Sequence, residues 1–237
     1  MKKVFLEAEW RYLVLINYAI DPSVLRRRVP PGTELDFEHS RTYVSLVGFQ
    51  FLNTRVLGIG LPFHRDFEEV NLRFYVRRRA EDGWRRGVVF IRELVPRRMI
   101  AFVARTFYGE PYSALPMRHS VEQSDSNLRA SYAWRRGGKW ESILAKGSGP
   151  SVEIEPDSHE EFIAEHYWGY NAHRGGCVEY QVEHARWRIW HASESHCDVD
   201  VASLYGEDFV ESLSKPPHSA FIAEGSPVFV RGKSKRL

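Results

Sequence analysis

The segment FEEVNLRFYVRRR, residues 67–79, sets Val70, Leu72, Phe74 and Val76 in alternation with polar or aromatic residues. A repeat of two is the repeat of a β-strand with one buried face. Glu81–Asp82–Gly83 follows with turn chemistry, and GVVFIRELV returns as a second strand, which predicts an antiparallel hairpin. Such a pair must cover its apolar face with further strands or helices.

The rest of the chain supplies them. WRYLVLINYAI and TYVSLVGFQFL are rich in β-branched and aromatic residues, which pack well on a pleated surface. SALPMRHSVEQS, NLRASYAWRR and WESILAKG read as a meander joined by polar and glycine turns. CVEYQVEHARWRIW, HCDVDVAS, SAFIAEG and PVFVRG add further strands. Helices interrupt this series. Asp21-Pro22-Ser23 caps a short helix to Val29, and RRMIAFVARTFY places Ile100, Val103, Ala104 and Phe107 at helical spacing before Gly109 and Pro111. Ser158 with Glu161 forms a capping box for a helix with stripe Phe162, Ile163, His166 and Tyr170, and LYGEDFV suggests a helical turn. Regular strand–helix alternation is missing, so the expected class is α+β, mostly antiparallel β, as a closed or nearly closed barrel spanning residues 1–237 as a single domain.

Composition narrows the function. The formal charge of +2 gives no broad field for nucleic acid or anionic membrane, and the arginine clusters read as solvated element ends. The longest apolar run, Leu13–Ile16, is far short of the roughly 20 residues of a membrane-spanning helix. MKKVFLEAEWRY lacks the form of a signal peptide, and two cysteines fit a reducing compartment, so a cytoplasmic protein is expected. There is no GxGxxG, P-loop, HExxH or GxSxG. His184, His191, His196 and Cys197 match no closed zinc pattern, Cys177 and Cys197 have no activating neighbours in sequence, and Trp134, Trp140, Trp168, Trp187 and Trp190 are expected to pack in the core. No metal and no cofactor is expected.

YLVLINYAIDPSVLRRRVPPGTELD, FEEVNLRFYV, ARTFYGEPYSALPM and EEFIAEHYWGY occur in an order that resembles the YqjF-like family of bacterial domains of unknown function, over nearly the whole chain. More distantly the chain is similar to the acetoacetate decarboxylase superfamily. That resemblance implies a cone-shaped antiparallel barrel or bent sheet, with two or three inserted helices, around a small cavity. In the decarboxylases a lysine forms a Schiff base with a β-keto acid while a neighbouring lysine lowers its pKa. The positions matching that pair here are Tyr112 and Ser113, in Arg105-Thr-Phe-Tyr-Gly-Glu-Pro111-Tyr112-Ser113. Neither side chain can form an imine. Glu69 matches a cavity glutamate of the decarboxylases, Arg11 falls where they carry an arginine, and their second glutamate is replaced near Ser45.

On a strand, Glu69, Asn71 and Arg73 share one face and put a carboxylate, an amide and a guanidinium in a row. Two placements stay open: the row lines a cavity, or it lies on the outer face as solvated cross-strand partners. The first makes the protein a binder of a small oxo acid or other small anionic metabolite, with Arg11, Asn71, Arg73 and Ser113 as ligand contacts and no decarboxylase chemistry. Alternatively it is a lysine-independent acid–base enzyme acting on a small keto or enol acid, with Glu69 as base and Tyr112 as acid. A third reading is a structural module with a filled core. A small molecule is the expected partner, rather than nucleic acid or membrane, and a homo-oligomer is left open.

Overall fold

β1 (Val4–Ile20) is long because its apolar and aromatic residues run without a breaker up to Asp21. There the Asp21 carboxylate accepts the Ser23 amide at 2.7 Å, and Pro22 opens α1 (Pro22–Arg26), as the Asp-Pro-Ser signal predicts. The structure, a computed structural model, describes residues 4–60, 62, 64–97, 111–124, 127–173 and 175–236. The helix expected over RRMIAFVARTFY falls outside the described residues.

After β2 (Glu34–Leu35) come β3 (Thr42–Val56), β4 (Phe67–Ala80) and β5 (Gly83–Val95), with β4 and β5 forming the expected hairpin. β1, β3, β4 and β5 pair in that order. β5 continues through a short parallel pairing to β11 (Trp168–His173), then antiparallel to β12 (Gly176–His184) and β14 (Ser219–Arg236). β14 also pairs antiparallel with β1 from Val4 to Asn17, which closes the strands into a ring. SAFIAEG and PVFVRG, expected as two runs, are this single strand. The break in CVEYQVEHARWRIW comes at Ala185–Trp187, so that segment is two strands.

A second layer branches from the ring. β13 (Arg188–Asp198) pairs with β14 at Ile189–His191 and continues to β9 (Lys139–Ser148), β8 (Asn127–Arg136) and β7 (Met117–Gln123). β6 (Tyr112–Ala114) lies parallel to β5, and β10 (Val152–Glu153) pairs with β13. The outer ring face, with Val14, Leu46, Val70, Leu72 and Phe74, packs on Leu128, Tyr132, Trp134 and Ile143 of this layer. Gly48 permits the close approach, because a Cβ there would stand 2.7 Å from the Tyr132 ring and 2.8 Å from Ile143.

A second core fills part of the ring interior. Leu13, Leu15, Tyr75 and Phe221 meet Phe162 and Ile163 of α2 (His159–Ala164) there. Ser158 caps α2 by accepting the Glu161 amide, while Glu161 returns a carboxylate oxygen to the Asp157 amide. The helix stops at Ala164, so Tyr170 belongs to β11 rather than to a helical stripe. HCDVDVAS also splits, its end entering α3 (Val201–Tyr205), which precedes α4 (Val210–Leu213). No helix among the described residues is long and apolar enough to cross a membrane.

The single buried face expected of β4 is corrected. Val70, Leu72, Phe74 and Val76 face the second layer, and Glu69, Asn71, Arg73 and Tyr75 face the ring interior, all almost fully buried. A strand placed between two cores has no solvated face. The arginine clusters are likewise not all solvated ends: Arg78 and Arg85 both pair with the buried Glu179 carboxylate, at 3.0 and 2.6 Å.

Candidate functional site

Inside the ring lies a cavity of about 200 Å³. Aromatic side chains dominate its wall, among them Trp10, Phe49, Phe51, Phe90, Tyr180 and Trp187. The polar row of β4 enters this apolar surround. Glu69 is 2% exposed and both its oxygens are engaged: Asn71 Nδ2 donates to Oε1 at 2.9 Å and the Tyr112 hydroxyl donates to Oε2 at 2.8 Å. Arg73 Nη2 donates to the Ile163 carbonyl at 3.2 Å, and the guanidinium carbon stands 5.7 Å from the Tyr75 ring centroid. The row therefore faces the cavity, the first of the two placements left open by the sequence.

Burial governs the electrostatics. Desolvation raises Glu69 from 4.5 to about 7, against the lowering effect of the Asn71 and Tyr112 hydrogen bonds and of the Arg73 charge. Burial, followed by the negative charges of Glu69 and Glu93, drives the Tyr112 phenol well above its ordinary value, so it stays protonated. His166, also on the wall, is held down to about 4 by desolvation. Its Nε2 is 3.3 Å from Asp36 Oδ2, which also accepts Arg86 Nε at 2.6 Å. A neutral imidazole that donates Nε2–H to Asp36 presents Nδ1 as an acceptor.

Several buried polar atoms of wall residues have no partner among the described residues: Trp10 Nε1, Asn71 Oδ1, Arg73 Nε and His166 Nδ1. Each unsatisfied buried group costs roughly 1–3 kcal/mol. With the Thr54 hydroxyl, also without a partner among the described residues, two donors and two acceptors in one small apolar space suit a compact polar guest.

Of the residues expected to act here, Glu69, Asn71, Arg73 and Tyr112 come together, and Arg11 and Ser113 do not. A β-bulge with Tyr12 at φ +52° shifts the alternation of β1, so Trp10 and Leu13 both point inward. Arg11 turns to the other side and pairs with Glu9 at 2.8 Å. The expectation of Arg11 on the cavity wall is thereby corrected. Ser113 is corrected by simple alternation, since Tyr112 lies in register with the cavity residue Glu93 and Ser113 with Leu94 of the outer core. Its hydroxyl accepts Arg92 Nη1 at 3.5 Å. Ser45, where the decarboxylase pattern has a second glutamate, is fully buried and bonds Asn17 Oδ1 and Tyr75 OH at 2.6 and 2.5 Å.

Glu93, His166 and Trp10 were not legible in the sequence as wall residues. An unbroken hairpin counted from Gly83 would set Arg92 across from Asn71; a register shift between Leu72 and Arg73 puts Glu93 there instead. His166 follows the end of α2 rather than continuing its stripe. Trp168 and Trp187 line the cavity, whereas Trp134 is buried between the layers and Trp140 is 39% exposed. Cys177 and Cys197 are free thiols, and burial pushes Cys197 up to about 11, opposite to an activated nucleophile. Among the described residues no lysine lines the cavity.

Several solved structures share this fold. Acetoacetate decarboxylase from Legionella pneumophila matches with a TM-score of 0.64 and 14% identity, over 98% of this chain and 87% of that one. The enduracididine biosynthesis enzyme MppR complexed with pyruvate matches with a TM-score of 0.65 and 14% identity, over 100% of this chain and 91% of that one. An acetoacetate decarboxylase-like enzyme from Sphingomonas wittichii RW1 gives 0.63 and 12%, over 98% and 93%. The chain has the acetoacetate decarboxylase-like fold. Within that class it belongs to the DUF2071 family, described as an uncharacterized conserved protein and matched over residues 7–227. It is 26% identical over 207 residues to YqjF of Bacillus subtilis (strain 168), which is 86% of this chain and 82% of YqjF.

Proposed function

We propose that the cavity binds a small oxo acid or a similar small anionic metabolite without forming an imine. The observation that carries this reading is the buried row itself, a carboxyl bracketed by an amide and a phenol beside a guanidinium in an aromatic chamber. At about 200 Å³ the space is smaller than the roughly 300–1,000 Å³ of drug-sized sites and suits a guest of a few heavy atoms. Arg73 offers its unpaired Nε to a carboxylate, Trp10 Nε1 is a second donor, and Asn71 Oδ1 and His166 Nδ1 accept from a hydroxyl or enol. Among the fold relatives, MppR is described in complex with pyruvate, which fits this size and charge.

A second reading, acid–base catalysis, is favoured by the Glu69 carboxyl near 7, a value suited to taking and returning a proton at neutral pH. Tyr112 then orients the base through the hydrogen bond that its hydroxyl donates to Glu69 Oε2 rather than acting as a proton source, because its phenol is held protonated.

Calorimetric titration with pyruvate, 2-oxobutyrate and acetoacetate tests binding, and loss of deuterium from the carbon adjacent to the ketone, followed by NMR, tests proton transfer. Saturable binding that weakens at least tenfold in Arg73→Met supports the site. Exchange that slows about 100-fold in Glu69→Gln supports catalysis. Equal binding by wild type and Arg73→Met removes the first reading, and equal exchange rates in Glu69→Gln and Tyr112→Phe remove the second.

A further inference from the structure

At the end of the ring away from Ile59 and His64, three residues distant in sequence meet. His159 Nδ1 lies 2.6 Å from Glu38 Oε2, and His159 Nε2 lies 2.9 Å from Ser219 Oγ. Each comes from a different part of the fold: Glu38 from the turn before β3, His159 from the first position of α2, and Ser219 from the first position of β14. None of the three lines the cavity. The side chains of His159 and Glu38 keep 16% and 11% of their exposure, and Ser219 is half-buried, so solvent reaches the serine.

We propose that Ser219, His159 and Glu38 form a second, nucleophilic site that accepts the acyl group of a small carboxylic ester. The three roles of such a site are filled in order. A serine within hydrogen-bond reach of an imidazole, itself oriented by a carboxylate through its other nitrogen, is the arrangement that activates a hydroxyl. It is recognised by geometry and not by a local motif, which is why the absence of GxSxG does not bear on it.

Glu38 accepts a hydrogen bond from His159 Nδ1–H and so fixes the tautomer that leaves Nε2 free to receive the Ser219 proton. Asn17 also holds the serine, donating Nδ2 to Oγ at 2.8 Å, and is itself fixed by Ser45. Oγ is thereby oriented by two partners.

In the step this geometry supports, Ser219 Oγ attacks the ester carbonyl carbon while its proton passes to His159 Nε2. The carbon–oxygen bond to the alcohol breaks, and the alcohol leaves with that proton. Water then attacks the acyl-serine with His159 as base, releasing the acid and restoring the hydroxyl.

The test is labelling of the full chain with an alkyl fluorophosphonate, followed by peptide mapping. Expected is one adduct, on Ser219 of the wild type, forming about 100-fold more slowly in His159→Gln. Glu38 acts as a positioning residue: Glu38→Gln slows labelling, and Glu38→Asp, which keeps the carboxylate, restores most of the rate. A wild-type chain without an adduct on Ser219, or one labelled equally fast in His159→Gln, overturns the proposal. The wild-type map needs no variant, so a misfolded substitution cannot rescue it.

Discussion

Glu69 is stabilised as a neutral acid by burial and recharged only at a cost, and this gives it a measurable signature. Its folded pKa, about 7, lies above its ordinary 4.5, so between these values the folded chain holds more proton than the unfolded one. Stability from this group is full below pH 4.5 and is lost as pH rises through 7. The difference of about 2.5 units corresponds to about 3 kcal/mol. Urea unfolding of wild type and Glu69→Gln across this range is expected to show the wild type losing about 3 kcal/mol relative to the variant; parallel curves would contradict a carboxyl whose desolvation outweighs its hydrogen bonds. The comparison must be with the variant, because His166, lowered to about 4, gives stability that rises between about pH 4 and 6.5 and masks the trend in wild type alone. At this scale the sequence was informative where alternation ran unbroken. Glu69, Asn71 and Arg73 share a face because nothing shifts β4 between them, while the bulge at Tyr12 turned Arg11 away and carried no sequence signal, since a non-glycine residue at positive φ is not announced by its type.

At the scale of elements, two contacts decide whether the cavity exists. The outer face of β3 must approach β8 and β9 closely, and Gly48 has no room for a methyl group. Gly48→Ala is expected to destabilise by about 1–3 kcal/mol through overpacking against Tyr132 and Ile143, read as a lowered urea midpoint with unchanged m-value. α2 closes the other side, with Phe162 and Ile163 in the inner core and the Ile163 carbonyl holding Arg73. Removing its cap by Ser158→Ala is expected to cost about 1 kcal/mol and to weaken oxo-acid binding through the displaced guanidinium. Unchanged affinity in that variant would separate α2 from the site. The hairpin and both capped helices were legible because turn and cap chemistry are local. The single β14, the split of β12 from β13 and the short reach of α2 were not, because long-range pairing partners set those boundaries.

For the whole molecule, closure of the ring by β1 and β14 creates an interior that a flat sheet would lack. Strands with partners on both edges exchange amide protons only when the ring opens, whereas β7 ends the sheet order among the described residues. Hydrogen exchange should therefore be slowest in β1, β3 and β4 and fast along the outer edge of β7; equal protection would contradict a closed ring. The imine chemistry of the wider class should also be missing. Lys139 and Lys146 lie on β9, outside the cavity wall, so acetoacetate with borohydride is expected to leave no adduct on them by intact mass. Ring and class could be anticipated from the order of strands and turns together with the family resemblance, but the inward direction of the polar row required the second core that covers the other face of β4.

The central claim is a noncovalent anion site built on that row. A crystal soaked in pyruvate tests it most directly. The account predicts density for an intact pyruvate, with its carboxylate about 3 Å from Arg73 and its carbonyl oxygen facing Trp10 Nε1. A cavity filled by side chains with Glu69 turned outward, or pyruvate bonded covalently to a lysine, would contradict it.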